Sequence, residues 1–182
     1  MDLQLKDKTA LVTGASVGIG RGIAKALAAE GVKLAISARR ADKLQEVADE
    51  IVAAGGHRPV IIESDLYPED AAAKLTAAAI QGLGHVDILV NNAGATWGAP
   101  AEEHPVNAWD KVMNLNVRGY FILAQEVAKL CMIPRKKGRI LNVASIAGLA
   151  GNPSEMKTIA YNTSKGAVIN FTRALAGEWG EH

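Results

Sequence analysis

The stretch TALVTGASVGIG, Thr9 to Gly20, opens with a short apolar run and passes into glycines at positions 14, 18 and 20. An apolar, partly β-branched run that ends in glycines and is followed by RGIAKALAA reads as a strand, a tight turn and a helix. Glycines at the mouth of a strand let the backbone approach a bound group closely. The first turn of the helix then offers unpaired N–H groups to an anion such as a pyrophosphate. The spacing is G-x-x-x-G-x-G, not the G-x-G-x-x-G of the commoner dinucleotide fingerprint, and no Gly-Lys-Ser/Thr follows, which excludes a Walker loop. Taken alone, the stretch is also compatible with a turn that binds nothing. Its position after the first strand of a βαβ unit favours the binding reading.

That unit is the first of a series. The runs TALVTG (9–14), KLAIS (33–37), RPVIIE (58–63), VDILVN (86–91) and RILNVAS (139–145) are short and almost continuously apolar. Such runs suit strands covered on both faces of a parallel sheet. Longer amphipathic segments alternate with them and predict helices over 18–30, 41–55, 68–83, 105–132 in two pieces, and 156–179. Regular strand–helix alternation implies an α/β fold: a Rossmann-type, doubly wound parallel sheet in three α/β/α layers. The chain of 182 residues fits a single domain, 1–182, with no repeat, linker or low-complexity tract.

Composition narrows the function classes. The balance of 20 basic to 19 acidic residues lacks the basic excess of a nucleic-acid binder. Arg135-Lys136-Lys137, the one basic cluster, reads as a solvated loop. The single cysteine, Cys131, lies among apolar neighbours and reads as a core thiol; no disulfide framework is possible. His57, His85, His104 and His182 are scattered without metal-ligand spacing. No run is long enough to span a membrane and the N-terminus has no apolar signal core, so the expectation is a soluble, cytoplasmic protein.

Two further segments carry chemistry. After the second strand, an acidic residue would be expected to bond a ribose 2′-hydroxyl. The chain has SARRADKL there, with Arg39 and Arg40 in place of a carboxylate. Guanidinium groups suit a 2′-phosphate, which favours NADP(H) over NAD(H), with Arg39 the first choice of ligand because it comes first after the strand. Near the end of the chain, YNTSK sets Tyr161 and Lys165 four residues apart, on one face of a helix. A free tyrosine, with a pKa of ~10, is a poor acid–base group at neutral pH; a neighbouring ammonium would favour its phenolate.

TGASVGIG, NNAG (Asn91–Gly94), NVRG (Asn116–Gly119), a serine closing the fifth strand (Ser145) and YNTSK occur in an order that resembles the short-chain dehydrogenase/reductase family over the whole chain. Within it, NNAGATWGAP and the segment from AYNTSK onward are similar to members called gluconate 5-dehydrogenases and 3-oxoacyl-acyl-carrier-protein reductases. The resemblance implies an enzyme that interconverts a secondary alcohol and a ketone with a nicotinamide cofactor. It implies a catalytic set of Asn116, Ser145, Tyr161 and Lys165. Ser145 would bond the substrate oxygen, Tyr161 would exchange its proton, Lys165 would hold the nicotinamide ribose, and Asn116 would anchor a relaying water. Gly14, Ser16, Gly18, Ile19 and Gly20 would hold the pyrophosphate. Asp65 and Leu66 would meet the adenine, and Asn91, Ala93 and Gly94 would line the cofactor site. A small carbonyl or alcohol substrate is implied, with a sugar acid or a 3-oxoacyl thioester as the options. The partner in assembly would be a second copy, in a homodimer or homotetramer built on the helices bearing Phe121 and Phe171.

Two departures qualify the resemblance. Sixteen positions separate Ser145 from Tyr161, a somewhat long loop that would reshape the substrate mouth. The chain also ends at His182, where the family continues through further strands and a substrate loop. The expectation is a C-terminally truncated form lacking the last strands of the family fold, with a shortened paralogue as the alternative. A non-catalytic dinucleotide-binding module is the competing function.

Overall fold

The computed structural model describes residues 3–182. Five parallel strands form one sheet: β1 (Thr9–Thr13), β2 (Lys33–Ala38), β3 (Val60–Glu63), β4 (Ile88–Asn91) and β5 (Arg139–Asn142), in the order β3-β2-β1-β4-β5. Helices α1 (Gly18–Ala29), α2 (Ala41–Ala53) and α3 (Ala71–Leu83) follow the first three strands. A long helical run follows β4, and α7 (Ile159–Trp179) follows β5. The order reverses between β1 and β4, so the crevice at their carboxyl ends is the topological switch point where ligands of such sheets bind.

The strand period of two divides the core. Ala10 and Val12 of β1, Leu34 and Ile36 of β2, and Ile88 and Val90 of β4 face α1 and α2, which contribute Ala24, Ala28, Leu44, Val47 and Ile51. Leu11, Ala35 and Leu89 face the opposite way, onto Leu75 and Ala79 of α3 and Leu123 and Val127 of the long run. Cys131 joins that second cluster, as a core thiol should. Both faces are thus covered, which is why the strands are continuously apolar in sequence.

The long run departs from expectation. It does not break into two pieces but continues as α4 (Val106–Met113), a π turn (Asn114–Arg118), α5 (Gly119–Val127), a second π turn (Ala128–Met132) and α6 (Ile133–Arg135). A π turn absorbs one extra residue without ending the helix, and such turns concentrate at functional positions. Here the first holds Asn116. The basic cluster also differs from a purely solvated loop: Arg135 donates to the buried carboxylate of Asp87 at 2.8 Å. Among the described residues, no helix is long and apolar enough to cross a membrane.

Candidate active site

The crevice at the switch point is shaped by Thr13, the last residue of β1. Its hydroxyl donates to Val90 O (3.2 Å) and accepts from the N–H groups of Asn92 (3.0 Å) and Ala93 (3.1 Å). The Asn92 amide donates to Thr13 O (2.9 Å) and Gly14 O (3.2 Å). These bonds lock the glycine loop to the end of β4. Gly14 has φ +64, and a Cβ there would stand 2.9 Å from Ala93 Cα. At Gly20 a Cβ would stand 2.3 Å from Gly14 O, so α1 can begin this close to the loop only with glycine.

A cavity of about 550 Å³ opens from this point. Gly14 and Ser16 line it at the loop, Arg39 and Arg40 beyond β2, Asp65, Leu66 and Tyr67 beyond β3, and Ala93 to Trp97 beyond β4. The helix α1 starts without a side-chain cap and without an acid in its first turn, so its first N–H groups are free for an anion. Arg40 is bound to Asp42 through Nη2 (3.0 Å), whereas Arg39 has no ion pair among the described residues. This donor set fits a dinucleotide: free amides and Ser16 for a pyrophosphate, and Arg39 for a phosphate on the adenosine ribose.

The expected cofactor residues stand at different depths around this cavity. Asn91 does not line the cavity. It is buried, and its amide donates to Tyr120 O (3.3 Å) and Asn142 Oδ1 (2.9 Å), which ties β4 to β5 and to α5. Its neighbour Asn92, not selected from the sequence, lines the cavity instead. Gly18 and Ile19 stand at the exposed start of α1, where what they offer an anion is the backbone N–H of the helix N-terminus, and Gly20 is packed beneath the loop. Asp65 lines the cavity and caps a turn by accepting from Tyr67 N at 3.2 Å. Tyr67, Lys111 and Trp97 line it without having been selected, and the Lys111 ammonium lies 6.0 Å from the Tyr67 ring centre.

The four chemistry-bearing residues are not lining residues of this cavity; Asn116 meets its wall at Ala95, and Tyr161 and Lys165 stand together on α7. Asn116 is fully buried and joins two segments: its Oδ1 accepts from Ala95 N (2.8 Å), and its Nδ2 donates to Ala95 O (2.9 Å) and Ser164 Oγ (2.9 Å). Ser164 Oγ in turn donates to Tyr161 O at 2.7 Å. Both side-chain N–H groups of Asn116 are therefore spent within the protein. These bonds pin the wall of the cavity to α7. Lys165 is 4% exposed, with its ammonium 5.7 Å from the Tyr161 ring centre and donating to Val143 O at 2.6 Å. Burial pushes its pKa down to about 8.

Ser145 lies beyond β5, where its hydroxyl accepts from Ala147 N at 3.2 Å. Its loop is seated on α7 at Gly148: a Cβ there would stand 2.5 Å from Lys165 C and 2.6 Å from Gly166 N. Backbone cannot yield as a flexible side chain can. Gly148→Ala is therefore expected to lift the Ser145 loop off Lys165, destabilise the protein by about 1–3 kcal/mol and depress turnover. Thermal unfolding and steady-state rates on the same sample check this; an unchanged unfolding temperature would refute the contact.

Comparison with known proteins agrees with this architecture. A family model described as short chain dehydrogenase matches residues 8–182. Gluconate 5-dehydrogenase of Gluconobacter oxydans is 38% identical over 178 residues, which cover 98% of this chain and 68% of that protein. A 3-oxoacyl-acyl-carrier-protein reductase of Synechocystis sp. is 37% identical over 175 residues, covering 96% of this chain and 69% of that one. A solved structure from Beutenbergia cavernae, described as an NAD(P)-dependent gluconate 5-dehydrogenase with NADP bound at low occupancy, superposes with a TM-score of 0.87 at 38% identity, covering 96% of this chain and 68% of that one.

Proposed function

We propose that this chain, which belongs to the short-chain dehydrogenase/reductase family, is an NADP(H)-dependent oxidoreductase that interconverts a secondary alcohol and a ketone. The observation that carries the reading is the Tyr161–Lys165 pair. A phenol and a buried ammonium share one face of α7, the helix that Asn116 and Ser164 tie to the wall of a cavity whose glycine loop and Arg39 fit a phosphorylated dinucleotide. When bound, the reduced nicotinamide supplies the hydride. Tyr161 delivers a proton to the carbonyl oxygen, and Ser145 donates a hydrogen bond that holds that oxygen. Lys165 keeps positive charge beside the phenol, which favours phenolate over phenol as the proton leaves. Asn116 fixes the cavity wall against α7, so that the proton donor and the bound dinucleotide keep one register. The names of the relatives support a sugar acid or a 3-oxoacyl thioester as substrate. The edge-to-face pair Phe121–Phe171, with Phe121 exposed on α5, supports assembly through α5 and α7 into a homodimer or homotetramer.

The reading is tested by following NADPH and NADH oxidation with 5-ketogluconate and a 3-oxoacyl thioester, in the wild type and in Arg39→Ala. Turnover with NADPH is expected in the wild type. Loss of a charge-assisted bond in Arg39→Ala is expected to raise KM for NADPH by about 10- to 100-fold and to leave NADH nearly unaffected. Equal losses with both cofactors would remove Arg39 from the 2′-phosphate. NADPH binding without turnover on any carbonyl would make the chain a non-catalytic binding module.

A further inference from the structure

The Lys165 ammonium is buried with few conventional partners. An ammonium carries three donors, and Val143 O takes one at 2.6 Å. Among the described residues it makes no ion pair. Two aromatic faces supply what is missing. Besides the Tyr161 ring, the ring of Tyr120 stands 5.3 Å from Nζ, the nearer of the two. Tyr120 comes from α5, one helical turn past Asn116, and is 2% exposed. Its hydroxyl is buried and has no hydrogen-bond partner. The ring is thus held against the cation while the polar end of the residue does no bonding within the protein.

We propose that Tyr120 is a positioning residue for Lys165: its ring face, not its hydroxyl, holds the ammonium charged and centred beside Tyr161. This rests on reading Tyr161 and Lys165 as the acid–base pair. Ring quadrupoles attract cations within about 6 Å, more strongly where water is excluded. The groups facing the ammonium are Tyr120 from α5, Tyr161 from the preceding turn of α7, and the neutral Val143 carbonyl from the segment after β5. With no carboxylate among them, the rings are what offsets the cost of burying the charge. Removing the nearer ring leaves the ammonium less stable relative to the free amine. The lysine then loses its proton at lower pH, and the phenol loses its cationic neighbour nearer to neutrality.

The test compares wild type, Tyr120→Phe, Tyr120→Leu and Tyr120→Met in lysine-labelled protein. The Lys165 side-chain resonance is followed by NMR against pH and assigned by its loss in Lys165→Met. Tyr120→Met, an unbranched side chain suited to a helix, carries the comparison if Tyr120→Leu does not fold. Phe is expected to titrate with the wild type. Leu and Met are expected to shift the ionisation equilibrium about three- to tenfold toward the amine, which is about half to one pH unit. In turnover, the alkaline limb of the pH–rate profile should move down by the same amount in Leu and Met and stay in place in Phe. Identical titration in all four proteins overturns the proposal, and so does a shift in Phe equal to that in Leu, which would assign the effect to the hydroxyl. If the wild type titrates as expected and the ring variants shift, yet no carbonyl is reduced, the enzymatic reading fails while the ring–cation contact stands.

Discussion

Tyr161→Phe and Lys165→Met are expected to lose turnover alike, by about 10²–10⁴-fold at pH 7, and to part company in stability. Tyr161→Phe removes the proton that must reach the carbonyl oxygen and leaves the ring beside Lys165, so stability should change little and NADPH binding should persist. Lys165→Met removes a group that is costly to bury. The sign follows from linkage: the folded-state pKa of about 8 lies below the unfolded value of 10.5. The unfolded chain therefore binds more protons between those two values, and stability rises with pH across that window. Below pH 8 the whole cost is present. That depression corresponds to an upper figure of about 3 kcal/mol, from which the lost hydrogen bond to Val143 O and the ring contacts must be subtracted. A gain of about 1–2 kcal/mol at pH 7 is the expected result, vanishing toward pH 10. Urea unfolding at pH 7 and pH 10 measures it. A Lys165→Met protein less stable than wild type at pH 7 would mean that the contacts of the ammonium outweigh its desolvation, and that no stability is sacrificed to the site.

The same two residues show how far sequence alone could go. Tyr161 and Lys165 were legible because a four-residue spacing on a helix fixes their common face. The strands were legible because each is apolar on both faces. Boundaries slipped where side chains, not backbone propensity, decided them. The third strand was expected from Arg58 but begins at Val60, with Arg58 bonded outward to Asp49. The third helix was expected from Pro68 but begins at Ala71, after a turn closed by Ala71 N on Pro68 O. The unbroken run through Asn114–Arg118 was hidden because its π turn is held by a contact with Ala95, which is remote in sequence.

Asn91 and Asn92 show the limit most clearly. They are identical and adjacent, and a strand turns successive side chains to opposite faces. Only the register of β4 between β1 and β5 decides which amide meets the glycine loop. Tyr67, Trp97, Lys111 and Tyr120 were missed for a related reason. Each comes from a different segment, none carries a local motif, and the crossovers of the sheet alone bring them to one end.

At the opposite end of the sheet, Asp87→Asn is expected to destabilise the protein by about 2–4 kcal/mol at pH 7 and to flatten its acid sensitivity. The carboxylate sits just before β4 and accepts from Thr9 N (3.1 Å), Thr9 Oγ1 (3.3 Å) and Arg135 Nη2 (2.8 Å), with His85 Nε2 at 3.3 Å. It therefore ties the start of β1 to the start of β4 and both to the end of α6. Burial alone would raise its pKa. The bond from Arg135, the bond from Thr9 N and the nearby His85 outweigh that and hold it at about 2, against an ordinary 3.8. A depressed carboxylate stabilises the fold above its unfolded pKa, and that contribution disappears as pH falls through the folded value. The difference is worth about 2 kcal/mol between pH 4 and pH 2. Because Arg135 is partly exposed, water relieves some of the penalty when its partner is lost, which places the neutral-pH effect below that of a fully buried pair. Unfolding free energies of wild type and Asp87→Asn at pH 7, 4 and 2 provide the measurement. The gap between the two proteins should be constant from pH 7 to pH 4 and narrow by about 2 kcal/mol by pH 2. A gap that stays constant to pH 2 would mean that other carboxylates govern the acid limb, and that Asp87 acts through the shape of its hydrogen bonds and not through its charge.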